Sequence, residues 1–95
     1  MYFHNLQKRK QLILEISKRY KAYNIRVLGS VARNEATEKS DIDLLVSFEP
    51  GASLLDQAGL IDELGKTLGT PVDVVSDRAL NRFLRESILK EARPL

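Results

Sequence analysis

Residues 29–46 read GSVARNEATEKSDIDLLV, and this stretch decides how the rest of the chain is interpreted. Gly29-Ser30 follows a short apolar run, which predicts a strand that turns directly into a helix. Ten residues later, Asp41-Ile42-Asp43 opens a second apolar run that continues to Phe48. The second half of that run is apolar at successive positions, as is typical of a strand buried on both faces. The stretch therefore predicts a strand, a short helix, a polar loop and a buried strand.

The flanking segments predict three further helices and one further strand, and they place the bounds of the strand before Gly29. Upstream, helical periodicity predicts a helix over about Asn5–Tyr20, with Asn5 as its N-cap, and a strand over Ile25–Leu28. Downstream, Ser53 resembles the start of a capping box for a helix that Gly69 ends. A strand over Val72–Val75 and a last helix over about Arg78–Ala92, capped by Asp77, follow.

The order α-β-α-β-α-β-α predicts an α/β (α+β) fold in which about four helices pack on a three-stranded mixed sheet. Each of the three longer helices presents an apolar stripe that is expected to face this sheet. The stripes consist of Leu6, Leu12, Ile13, Ile16 and Tyr20 in the first helix, Leu54, Ala58, Ile61, Leu64 and Leu68 in the middle helix, and Leu80, Phe83, Leu84 and Ile88 in the last.

The composition excludes several classes of protein. The chain has no cysteine, so disulfides and thiolate metal sites are excluded and a reducing, cytoplasmic location is expected. No apolar run approaches the roughly 20 residues needed to cross a bilayer, and the basic residues within residues 1–21 argue against a signal peptide. The net charge of +2 is too small to indicate direct nucleic-acid binding. Residues 1–95 are expected to form one domain with a modest core.

Three aspartates occupy positions where aspartate does not favour stability. Asp41 and Asp43 are two residues apart at the head of a strand, so their side chains point to the same face. Asp73 lies inside an apolar strand, where an unsatisfied carboxylate is destabilising. If these strands are neighbours, the three carboxylates converge and repel one another unless a divalent cation such as Mg²⁺ binds between them. The alternatives are a turn or cap role for Asp41 and Asp43, and an exposed edge or an arginine partner for Asp73.

Gly29 and Ser30 predict a phosphate-binding turn. Glycine allows the backbone to approach a ligand closely, and the following helix presents free N–H groups at its positive end. The Ser30 hydroxyl adds a donor. A methyl group at Gly29 is expected to fill the space through which a phosphate approaches.

The spacing from Gly29-Ser30 to Asp41-Ile42-Asp43 resembles the signature of the DNA polymerase β-like nucleotidyltransferase superfamily. The run over residues 29–46 is similar to that of the minimal nucleotidyltransferases (MNT), which include the antitoxin partners of HEPN-domain ribonuclease toxins. The resemblance implies a polymerase β-like palm, with Asp41 and Asp43 as ligands to two Mg²⁺ ions. It also implies that Asp73 binds the catalytic metal and helps to deprotonate the attacking hydroxyl.

The same resemblance implies that Gly29 and Ser30 bind the nucleoside triphosphate. Arg33 matches the family pattern and is assigned to the nucleotide, with pairing to an acidic residue as the alternative. Many relatives have glycine at the position of Asn34. Because asparagine tolerates a positive φ, we expect the turn to persist.

The resemblance thus implies an enzyme that transfers AMP from ATP to a hydroxyl and releases pyrophosphate. A partner HEPN ribonuclease toxin is the expected acceptor, and the chain would act as its antitoxin. The alternatives are an antitoxin that neutralises its partner by complex formation alone, and a stand-alone nucleotidyltransferase that modifies a small molecule or an RNA end.

Overall fold

The computed structural model describes residues 1–37 and 39–95. Its elements, in chain order, are α1 (Phe3–Lys8), α2 (Lys10–Arg19), β1 (Ala22–Leu28), α3 (Gly29–Ala32), β2 (Ile42–Phe48), α4 (Leu54–Leu68), β3 (Val72–Ser76), a 3₁₀ turn (Asp77–Ala79), α5 (Arg82–Glu91) and β4 (Arg93–Pro94).

The strands form one mixed sheet in the order β3-β2-β1-β4. Strand β2 pairs antiparallel with β1 and parallel with β3, and β4 pairs antiparallel with the other edge of β1. The predicted α/β class and mixed sheet are therefore confirmed, whereas the predicted strand number of three is wrong. Strand β4 has only two residues, which is too short to produce a periodic signal in the sequence.

The hydrophobic core lies between one face of the sheet and helices α2 and α4. Alternate residues of the strands contribute to it, and Ile13 and Leu64 meet them from the helices. Leu45 points to the opposite face and is also fully buried, although it does not belong to this core. Strand β2 is therefore buried on both faces, as predicted. The opposite face carries Asp43 and Asp73.

The predicted first helix is divided into two. Arg9, with φ −104° and ψ 14°, separates α1 from α2. Asn5 is not the N-cap but lies inside α1, where its Oδ1 accepts a hydrogen bond of 2.8 Å from the backbone N–H of Tyr2. The break lets both short helices direct apolar residues inwards. Leu12, expected in the core, is 41% exposed.

Strand β1 begins at Ala22, three residues before the predicted start at Ile25. Asn24 lies inside the strand and adopts φ 53° where the pairing register shifts between Tyr23 and Arg26. This local irregularity is a β-bulge. It interrupts the alternation of inward and outward side chains, so the first half of the strand shows no period-two pattern in the sequence.

The middle helix agrees with the prediction at both ends. The backbone N–H of Ser53 donates to Asp56 Oδ2 over 2.9 Å, and Gly69 adopts the left-handed conformation with φ 68°. Its core-facing residues include Leu64 and Leu68 as predicted. Leu54, however, is 83% exposed because it lies on the outer side of the first turn.

The last helix differs most from the prediction. It begins at Arg82, and the N-cap is Asn81, whose Oδ1 accepts a hydrogen bond of 2.8 Å from the backbone N–H of Phe83. Asp77 does not cap it; its carboxylate accepts a hydrogen bond of 2.6 Å from Ser47 Oγ. None of the residues of α5 is buried, and Phe83 is 81% exposed. Its predicted core stripe is therefore wrong.

No helix within the described part of the chain has both the length and the apolar character needed to cross a membrane.

Candidate active site

Two of the three predicted aspartates lie side by side in the sheet. Strands β2 and β3 run parallel, and their register places Asp43 directly opposite Asp73. Residues paired in this way direct their side chains to the same face of a sheet. Asp41 immediately precedes β2, two residues before Asp43. The topology therefore brings the side chains of Asp43 and Asp73 to one face of the sheet, near the strand end that Asp41 precedes.

The electrostatics of this cluster disfavour a third negative charge. Asp43 is half-buried, and this burial raises the pKa of its carboxyl above the ordinary value. The negative charges of Asp73 and then Asp41 raise this pKa further, whereas the positive charge of Arg33 acts in the opposite direction. A group of like charges around a half-buried carboxylate is an environment that a cation stabilises.

Carboxylate oxygens are also the ligands that Mg²⁺ prefers, so the chemistry of the donor set fits a divalent metal. As oriented in the described part of the chain, no three acidic or histidine side chains are close enough together to hold an ion. Asp73 Oδ1 instead accepts a hydrogen bond of 3.0 Å from the backbone N–H of Val74. Asp41 and Asp73 are exposed, so their side chains can rotate towards Asp43 without repacking the core.

The turn at Gly29 is built around Asp43. Gly29 has φ 68°, and a Cβ atom there would lie 2.7 Å from Asp43 Oδ2. Glycine is therefore required both by the backbone conformation and by the close carboxylate. The expectation that a methyl group would mainly obstruct phosphate needs correction, because its first neighbour is Asp43. Helix α3 has only four residues, so it contributes little of the dipole expected from a longer helix.

The chain leaves α3 through Arg33 and Asn34. Asn34 has φ 58°, so asparagine does adopt the conformation that glycine provides in many relatives. The Arg33 guanidinium donates from Nε to Glu35 Oε2 over 3.0 Å and from Nη1 to Glu91 Oε1. These hydrogen bonds, first to Glu35 and then to Glu91, raise the pKa of Arg33, which keeps the guanidinium charged. The acidic residues considered as alternative partners of Arg33 are therefore present.

Sequence reasoning missed Glu91 entirely. It lies 58 residues after Arg33, at the end of α5, and no local pattern marks it. Only the path of the chain after β3 brings it to the turn. Of the other predicted site residues, Ser30 is half-buried in α3 next to Gly29, and the assignment of both to the nucleotide stays a prediction.

Comparison with known proteins agrees with this geometry. Residues 9–95 match the family model described as a nucleotidyltransferase domain. Protein adenylyltransferase MntA of Thermococcus cleftensis is 39% identical over 77 residues, which cover 81% of this chain and 78% of that protein. A Methanocaldococcus jannaschii protein, provisionally named a protein adenylyltransferase, is 41% identical over 88 residues, or 93% of this chain and 95% of that protein.

Solved structures show the same fold. One that is provisionally described as a minimal nucleotidyltransferase superposes with a TM-score of 0.88 and 49% identity, covering all of this chain and 97% of that one. A toxin–antitoxin complex with AMP-PNP contains a chain that matches with a TM-score of 0.76 and 21% identity, over 90% of this chain and 70% of that one. The second likeness shows the fold alone. The protein therefore belongs to the nucleotidyltransferase domain family, and its fold is that of the minimal nucleotidyltransferases.

Proposed function

We propose that this chain is a protein adenylyltransferase that transfers AMP from ATP to a hydroxyl group of a partner protein. The observation that carries the proposal is the register of Asp43 and Asp73 on neighbouring parallel strands, with Asp41 two residues before Asp43. The relatives named as protein adenylyltransferases support the choice of reaction and of acceptor class.

In this reaction the acceptor oxygen attacks the α-phosphorus of ATP, and the bond from that phosphorus to the bridging oxygen of pyrophosphate breaks. We assign Asp41, Asp43 and Asp73 to two Mg²⁺ ions. When bound, these ions would neutralise the charge of the triphosphate and of the leaving pyrophosphate. Asp43 is fixed by its half-burial and by the Gly29 turn beside it. Asp73 is exposed on the same face, where it can accept the proton of the attacking hydroxyl.

We assign the triphosphate to the turn that contains Gly29, Ser30 and Arg33. This turn lies directly against Asp43, so phosphates bound there would be adjacent to the carboxylate cluster. Arg33 is the cation whose charge already acts on Asp43. The complex with AMP-PNP in a structural neighbour supports ATP as the substrate class.

We propose a HEPN-type ribonuclease toxin as the partner and acceptor, with residues 1–95 acting as one cytoplasmic antitoxin domain. Structural neighbours include MNT antitoxin in a complex with a tri-AMPylated HEPN toxin of Shewanella oneidensis. The chain also exposes large apolar residues that a partner could cover. Phe83 of α5 and Leu54 and Leu55 of α4 are each more than four-fifths exposed. The core of a protein–protein interface buries apolar side chains of this kind.

A second candidate function is neutralisation by complex formation without catalysis. The exposed apolar residues favour it equally, because they serve binding whether or not AMP is transferred. The two candidates differ only in whether the carboxylate cluster is used.

Mass spectrometry of the partner distinguishes them. The protein is incubated with the HEPN-type toxin proposed as its partner, ATP and Mg²⁺, and the toxin is then weighed. We expect the toxin to gain one or more AMP groups with the wild type and none with Asp43→Asn. A toxin that is silenced without any gain in mass would favour the non-catalytic function and contradict the proposal.

A further inference from the structure

The end of α5 is fastened to the turn of the candidate site. Glu91 is the last residue of α5, and its carboxylate accepts a hydrogen bond from Nη1 of Arg33, the residue that directly follows α3. A second contact lies two residues further along the chain, where Arg93 Nη1 donates to the carbonyl oxygen of Ala32 over 3.4 Å. Strand β4 pairs Arg93 with Val27 and so fixes this segment to the sheet. Glu91 and Arg93 of the C-terminal segment thus hold the end of α3 through two hydrogen bonds.

Two carboxylates determine how the Arg33 guanidinium is oriented. Glu35 binds Nε and Glu91 binds Nη1, so neither carboxylate occupies Nη2. Glu35 is only two residues away and moves with the same loop, whereas Glu91 belongs to a separate helix. Two carboxylates at different corners of a planar group restrict its rotation more than either does alone. Within residues 1–37 and 39–95, Nη2 of this guanidinium makes no hydrogen bond.

The residue that carries this guanidinium belongs to the turn beside Asp43. The backbone N–H of Arg33 donates to the carbonyl oxygen of Gly29 over 3.1 Å, and a Cβ atom at Gly29 would lie 2.7 Å from Asp43 Oδ2. An anion seated on that turn would therefore approach a cation that is already in place. A free arginine side chain loses rotamer entropy when it binds a ligand, and an arginine held in advance does not lose it at that moment.

We propose that Glu91 is a positioning residue for nucleotide binding: through its bond to Arg33 it holds the guanidinium where the phosphates of ATP bind. This inference rests on the proposed function, because it takes the Gly29–Arg33 turn as the triphosphate site. It adds a residue of α5 to a site otherwise formed by α3, β2 and β3.

The contact between Glu91 and Arg33 could instead weaken ATP binding. If Glu91 sequestered Arg33 from the nucleotide, removing the carboxylate would strengthen ATP binding. If Glu91 only tied α5 to the body of the protein, its removal would lower the melting temperature without changing nucleotide binding. Each of these effects can be measured separately.

The test compares Glu91→Gln with Glu86→Gln. Glu86 lies on the same helix, is exposed and pairs only with Lys90 over 3.6 Å among the described residues, so it matches the charge change without contact to Arg33. We expect Glu91→Gln to raise the KM for ATP about two- to tenfold while kcat changes less than about twofold. The reason is that the lost interaction stabilises bound ATP and the transition state equally. Glu91→Asp should restore part of the affinity, and Glu86→Gln should behave as the wild type.

A readout without turnover keeps the inference separate from the proposed function. The ¹⁵N NMR signals of the Arg33 side chain should show slow rotation about the Cζ–N bonds in the wild type and faster rotation in Glu91→Gln. If the wild type transfers AMP while Glu91→Gln keeps both its KM and its NMR signals, the inference is overturned and the function stands. A lower KM in Glu91→Gln also overturns it. If the wild type neither transfers AMP nor binds Mg²⁺-ATP in calorimetry, the proposed adenylyltransferase function is wrong. The positioning role of Glu91 is then wrong as well, because it depends on that function.

Discussion

Replacing Asp43 by asparagine should have opposite effects on stability and on activity. The substitution keeps the size of the side chain and removes one negative charge from a cluster of three. Paired residues on neighbouring strands are about 5 Å apart, and two unit charges at that distance repel by roughly 1–3 kcal/mol for effective dielectric constants of about 80 to 20. The loss of attraction to Arg33 offsets part of this gain. We therefore expect Asp43→Asn to be more stable than the wild type without metal, by about 1 kcal/mol.

For a domain of 95 residues, such a gain corresponds to a rise in Tm of about 4–8 °C. The difference should depend on pH in a defined direction. The pKa of Asp43 is higher in the folded protein than in the unfolded chain, so the folded protein binds more protons between these two pKa values. The wild type therefore loses stability as the pH rises from the unfolded pKa through the folded-state pKa. Below the unfolded pKa of about 4 the wild type carries no charge at this position, so the two melting temperatures should converge.

The assay is a pair of thermal melts with and without Mg²⁺, together with measurement of AMP incorporation. Mg²⁺ should stabilise the wild type and not the variant, and incorporation should fall by at least about 100-fold. Asp62→Asn is the matched control, since Asp62 is exposed and forms only a surface pair of 3.0 Å with Lys66 in the described structure. Unchanged incorporation would contradict the assignment of Asp43 to the metal site, and a lower Tm for Asp43→Asn without metal would contradict the repulsion within the carboxylate cluster.

Three further perturbations test other parts of the molecule. Gly29→Ala should weaken binding of Mg²⁺ and of ATP together in calorimetry, because the methyl group displaces Asp43; loss of ATP binding alone would contradict this. Asn34→Ala should lower the free energy of unfolding by about 1 kcal/mol in denaturant melts because of the positive φ, whereas Asn34→Gly should not. Phe83→Ser should weaken association with the partner at least about tenfold without changing Tm, while Leu12→Ser, also exposed but on α2, should not; equal affinities would place the interface elsewhere.

The sequence predicted the parts of the fold that depend on local chemistry. The capping residue Ser53, the helix end at Gly69 and the buried character of β2 each follow from a few adjacent residues, and the structure confirms them. The convergence of Asp43 and Asp73 required one assumption, that their strands are neighbours, and the register supplies it. These features are predictable because the residues that determine them are close in the sequence or belong to regular strands.

The parts that the sequence did not predict depend on contacts between distant segments. Asp77 has the chemistry of an N-cap, but Ser47 and Arg26 bind its carboxylate, and the helix starts later, at Arg82, with Asn81 as its N-cap. The apolar stripe of α5 has helical spacing, yet spacing alone does not reveal whether a helix faces the core or a partner. The hydrogen bond between Arg33 and Glu91 likewise exists only because the folded chain returns to its own turn.

Helix α5 is attached to the protein mainly through polar contacts at its two ends, and this has a consequence for the proposed reaction. At its start, Arg85 Nη1 donates to the carbonyl oxygen of Asp77 over 3.0 Å. At its end, Glu91 holds Arg33. Between these contacts its apolar side chains stay largely exposed, so little buried area fixes the helix. A partner that covered Phe83 would bury apolar surface on the same helix that orients Arg33. Docking of the acceptor and positioning of the nucleotide would then involve the same helix.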